Sequence, residues 1–104
     1  MVNRERLVKE FLELTAIDSL TKKERKMADA LKAKLEGMGY EVFEDDAGKK
    51  IGGEAGNIIC TVKGTKNVPA IMFTAHMDTV EPGIGKKAVV DGDMIRTDGT
   101  TILG

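Results

Sequence analysis

One cysteine, one histidine, no tryptophan and only four aromatic residues occur in this chain of 104 residues. A lone Cys60 excludes an internal disulfide and suits a reducing compartment, so the expected location is cytoplasmic. So few aromatic rings supply no platform for stacking bases. An excess of charge is missing as well, with 16 Lys and Arg against 17 Asp and Glu. This balance leaves no electrostatic footprint for nucleic acid or an anionic membrane, and neither is expected as a partner. Apolar runs reach about six residues, far below the ~20 that a membrane-spanning helix requires. No apolar leader follows Arg4 and Arg6, so a secretory signal is not expected. The length suits one domain with a core of useful size.

What is present divides into helices, then strands. Leu7, Val8, Phe11, Leu12 and Leu14 form a helical stripe that predicts a first helix ending near Ile17, where Asp18 and Ser19 offer turn chemistry. Thr21-Lys22-Lys23-Glu24 has the form of a capping box and predicts the start of a second helix. Its buried stripe is Met27, Ala28, Leu31, Leu35 and Met38, with Gly39 as a left-handed cap. Lys22, Lys23, Arg25 and Lys26 read as a solvated face. Tyr40 to Glu44 alternates as a short strand, residues 45–56 read as a loop or open hairpin connection, and Asn57 to Lys63 is a better strand. Val89-Val90, Asp91-Gly92-Asp93 and Met94-Ile95 predict a hairpin closed by an Asp-Gly turn. Helices followed by several strands suggest α+β, or part of a larger α/β domain.

The chemistry concentrates at one place. The apolar run from Ala70 to Ala75 reads as a strand buried on both faces and leads directly into His76-Met77-Asp78-Thr79-Val80. Open α/β sheets place ligands at the carboxyl ends of such strands. On an extended backbone, residues two apart share a side, so His76 and Asp78 should face one crevice. A neutral imidazole can ligate zinc while a nearby carboxylate orients it. The competing reading is a histidine satisfied locally at a strand end, with Asp78 as a turn carboxylate. A zinc site needs about three protein ligands, so any ligand beyond the single histidine must be a carboxylate. Other motifs carry less. Gly83-Ile84-Gly85-Lys86-Lys87-Ala88 has the letters of a dinucleotide fingerprint but follows a proline loop and opens no helix. Cys60 and the six methionines read as packing residues.

His76-Met77-Asp78-Thr79-Val80 resembles the first motif of the di-zinc metallopeptidases, a family of aminopeptidases, carboxypeptidases, deacylases and aminoacylases. The opening helix with Ile17-Asp18-Ser19, the strand Asn57-Ile58-Ile59, and the tail Asp91 to Gly104 are similar to its peptidase T-like branch. The resemblance implies an α/β fold, the N-terminal part of a three-layer α/β/α catalytic domain, with two helices and then a mixed sheet with a hairpin. Residues 1–104 would be a single partial domain, lacking the rest of the catalytic domain and the lid domain. His76 would ligate one zinc. Asp78 would be the catalytic-site carboxylate that orients it. Two zinc ions per complete site are implied, with the bridging aspartate and the paired glutamates outside this chain.

The leading expectation is therefore a fragment of a cytosolic zinc aminopeptidase that hydrolyses the N-terminal residue of short peptides with a di-zinc-activated water, inactive by itself. The parent is a candidate homodimer, and the fragment a candidate for self-association. One alternative is a deacylase or carboxypeptidase of the same family. Another is a non-enzymatic α/β assembly module in which His76 is structural.

Overall fold

The two amphipathic stripes become helices in the computed structural model, which describes all 104 residues. Helix α1 spans Arg4–Thr15. The side chain of Asn3 caps it by accepting from the Arg6 N–H at 3.0 Å. Helix α2 spans Arg25–Gly37 and buries Met27 and Ala28. Lys34 ties the two helices together, its Nζ 2.7 Å from Glu13 and 3.1 Å from Glu10. Gly39 follows α2 with φ 87°, the left-handed conformation its sequence position predicts.

The capping box does not form. Lys22 takes φ 68°, and the chain turns there before α2 begins at Arg25. Glu24 instead accepts from the Lys22 N–H at 2.6 Å, and the Thr21 hydroxyl is committed elsewhere. Local letters that satisfy a cap are overridden here by a contact with a distant segment.

Strands β1 (Val42–Glu44) and β2 (Ile58–Cys60) pair antiparallel, with Phe43 opposite Ile59. Helix α2 packs on both. Between them, residues 45–56 hold more than a loop: a short helix α3, Ala47–Ile51, forms there. The Asp45 carboxylate accepts from the Ala47 N–H at 3.0 Å, and Gly52 ends the turn with φ 69°. The predicted hairpin is present as β3 (Ala88–Asp91) and β4 (Met94–Thr97), with Asp91 opposite Met94. Gly92 occupies the turn with φ 62°.

One expected strand is absent. Residues 70–75 form no ladder and lie exposed, with Ile71, Met72 and Phe73 at 81%, 85% and 90% accessibility. None of the four strands hydrogen-bonds to this segment, and the two sheets have two strands each. A strand buried on both faces needs a neighbour on each edge and a layer on each face. These 104 residues supply neither. The single parallel contact is a bridge between Leu20 and Thr79, just beyond the run.

Candidate active-site segment

The loop between α1 and α2 organises the segment that carries the histidine. Ser19 is fully buried, and its Oγ donates to the Met77 carbonyl at 2.8 Å. The Thr79 N–H returns a bond to the Ser19 carbonyl at 2.7 Å. Downstream, the Asp18 carboxylate accepts from the Gly85 N–H at 2.8 Å. Lys86 is buried, and its Nζ donates to the carbonyls of Gly83 at 2.8 Å and Ile17 at 3.2 Å. An ammonium out of water needs such acceptors, and here they join two loops. Residues 17–21 thereby clamp the chain on both sides of Val80.

Within this frame His76 and Asp78 lie together, although residues 76–78 form no strand. His76 Nδ1 lies 3.0 Å from Asp78 Oδ1 and 2.8 Å from the Asp78 carbonyl oxygen. Both neighbours are acceptors, so Nδ1 carries a proton, and in the neutral ring the lone pair falls to Nε2. The His76 side chain is 82% exposed, whereas that of Asp78 is 33% exposed. The second carboxylate oxygen, Oδ2, accepts from the Thr21 hydroxyl at 2.6 Å. This bond is the main cause that holds the Asp78 carboxyl below its usual range; the His76 contact adds to it and partial burial opposes it. Asp78 is thus a carboxylate at neutral pH, suited to accept from an imidazole.

The donor set fits one ligand of a metal site. Nε2 of His76 is exposed, unbonded within the chain and backed by a carboxylate, the arrangement found behind metal-ligating histidines. No cluster of three His, Cys, Asp or Glu side chains able to hold a metal occurs in the structure. Cys60 lies on β2, apart from this segment. The surface depression lined by Tyr40, Val42, Phe43 and Ile59 includes neither His76 nor Asp78. Two residues that join the site, Ser19 and Thr21, read from sequence as turn and cap residues. Their partners lie 58 and 57 residues away, a separation that no local pattern encodes.

No protein-family model matches the chain. Over all 104 residues it is 55% identical to the uncharacterized protein YqjE of Bacillus subtilis strain 168, and it covers 28% of that protein. The crystal structure of aminopeptidase PepT from Bacillus cereus ATCC 10987 superposes with a TM-score of 0.93 at 51% identity, covering 99% of this chain and 28% of that one. A tripeptidase from Staphylococcus aureus subsp. aureus Mu50 does so with a TM-score of 0.93 at 46% identity, covering 100% of this chain and 28% of that one. The class is therefore a mixed α/β fold matching the N-terminal part of a peptidase catalytic domain. More particularly, the chain is similar along its length to an aminopeptidase PepT and a tripeptidase, and it spans 28% of the relatives it matches.

Proposed function

We propose that these residues are the N-terminal segment of the catalytic domain of a cytoplasmic, zinc-dependent aminopeptidase that removes the N-terminal residue from short peptides. The observation that carries this reading is the His76–Asp78 pair, Nδ1 to Oδ1 at 3.0 Å, in a chain 46–51% identical to an aminopeptidase and a tripeptidase. Nδ1 is occupied and Nε2 faces solvent, which suits His76 as a zinc ligand and Asp78 as its orienting carboxylate. Zinc, when bound in such a site, supplies Lewis acidity and a nucleophilic water at neutral pH. The chain's own residues hold and orient: Asp78 fixes the ring, and Ser19 and Thr79 fix the backbone that presents it. The remaining ligands and the general base belong to the larger share of the protein beyond these residues. That the two solved relatives are an aminopeptidase and a tripeptidase favours this reading over a deacylase.

The test uses the full-length protein. Zinc content, and hydrolysis of a tripeptide followed by product analysis, should both fall when the protein is stripped with a chelator and return with added zinc. His76→Ala should lose one zinc and at least 100-fold in rate. Full zinc occupancy in His76→Ala, or undiminished hydrolysis by the stripped protein, would sink the proposal.

A further inference from the structure

We propose that Thr21 is a positioning residue, whose hydroxyl divides the two oxygens of Asp78 between two tasks and thereby fixes the ring state of His76. The inference rests on the reading of His76 as a metal ligand. Its basis is the chain of contacts Thr21 Oγ1 to Asp78 Oδ2 at 2.6 Å and Asp78 Oδ1 to His76 Nδ1 at 3.0 Å.

A carboxylate rotates easily about its last torsion, because that torsion has only broad, two-fold wells. Asp78 alone could therefore present either oxygen to His76, or turn away and engage a metal directly. With Oδ2 accepting from Thr21, the plane of the carboxylate is set and Oδ1 is left for the imidazole. The donor is itself well placed. Leu20 and Thr79 form a parallel bridge, and Ser19 bonds to the backbone on both sides of Asp78, at Met77 and Thr79. These bonds hold the backbone of Thr21 in register with that of Asp78. The left-handed turn at Lys22 (φ 68°) delays α2, which frees the Thr21 hydroxyl from capping it. The helix start forgoes a side-chain cap, and the site gains a donor. Fixing Oδ1 beside the Asp78 carbonyl gives His76 Nδ1 two acceptors, so the proton stays on Nδ1 and the Nε2 lone pair points outward.

Two variants separate the hydroxyl from the shape: Thr21→Val keeps the branched form without the donor, and Thr21→Ser keeps the donor. In the full-length apoprotein, ring ¹⁵N spectra report the His76 tautomer at a pH where the ring is neutral, with its signals assigned by their loss in His76→Gln. Wild type and Thr21→Ser should hold the Nδ1–H form, and Thr21→Val, left with the Asp78 carbonyl as its one fixed acceptor, should hold it in a smaller proportion. Zinc affinity from chelator competition, measured with zinc alone, should fall about 10-fold or more in Thr21→Val, in line with the usual loss of an outer hydrogen-bond partner. Thr21→Ser should stay within about threefold, well inside that effect. An unchanged tautomer with unchanged affinity in Thr21→Val overturns the inference. Equal losses in Val and Ser variants also overturn it, because the hydroxyl is then not what acts. If His76→Gln itself binds zinc at full affinity, the metal-ligand reading has failed. If His76→Gln loses zinc and Thr21→Val does not, only the role of Thr21 has failed.

Discussion

Ile58-Ile59-Cys60 and Ala70-Ile71-Met72-Phe73 are short apolar runs of similar character, yet they meet opposite fates. The first pairs with Val42–Glu44 and lies under α2, with Ile58 and Cys60 half-buried. The second pairs with nothing, and its three large side chains stand almost fully in water. The difference is in the neighbours. A strand gains its stability from ladder bonds and from apolar faces covered on assembly, and only the first run has either within these residues. An apolar run therefore reports a capacity to be buried, and the surrounding chain decides whether it is used.

The strongest way to break this contrast is to disable the region that does have neighbours. Gly56 precedes β2, is buried, and its N–H donates to Glu44 at 3.0 Å. A Cβ built on it would run into the Asp45 backbone carbonyl, which cannot move without disturbing the start of α3. Gly56→Ala is expected to destabilise by about 3 kcal/mol, as overpacking against backbone does. Urea unfolding measures this; a loss under about 1 kcal/mol would mean that the β1–β2 connection yields freely.

Ser19→Ala comes next. It removes the hydroxyl bonded to the Met77 carbonyl and leaves that acceptor short of a partner, at about 2 kcal/mol. The loss should concentrate on the clamp, so the Thr79 amide should exchange with solvent well before those of α2. Uniform exchange across both would argue that the clamp and the helices open as one unit.

Glu44 gives a pH-dependent version of the same comparison. Arg25 donates to both its carboxylate oxygens, at 2.7 and 3.0 Å, and with the Gly56 N–H holds its pKa down to about 2. A carboxyl depressed in the folded state stabilises fully above its unfolded pKa, near 4.5, and that stability is lost as pH falls toward 2. The guanidinium is partly exposed, so screening limits the effect of Glu44→Gln at neutral pH to about 1 kcal/mol. The variant should unfold less steeply than wild type between these two pH values. An identical acid limb would show that the pair contributes nothing.

Which of these features could be read in advance follows from how local their causes are. Both long helices were legible because a 3.6-residue stripe is written within one segment. Gly39 and Gly92 were legible because a left-handed backbone suits glycine wherever it occurs. The nearness of His76 and Asp78 was legible because they are only two residues apart. Thr21 and Ser19 were not, since their partners are 57 and 58 residues distant and the letters around Thr21 spell a helix cap equally well. Helix α3 was hidden in a glycine-rich stretch, where a carboxylate at Asp45 and a left-handed Gly52 suffice to close five residues into a turn. The run at 70–75 carried a clear signal of burial, and no partner for it occurs among these residues.

That run yields the smallest expected effect and the sharpest use of the contrast. In the 104-residue chain, Ile71 at 81% exposure has little contact to lose, so Ile71→Ala should change stability by no more than about 0.5 kcal/mol. On the proposed reading, the same residue in the full-length protein lies in a strand covered on both faces, where removing its methylenes costs about 2–5 kcal/mol. Unfolding measured on both lengths of protein isolates the contribution of the neighbours, because the substitution is the same in each. A large loss in the short chain would mean that residues 70–75 are already buried there, by self-association along the open edge, and sedimentation at two concentrations would reveal it. An equally small effect at both lengths would remove the buried strand from the whole protein. His76 would then not stand at a strand's carboxyl end.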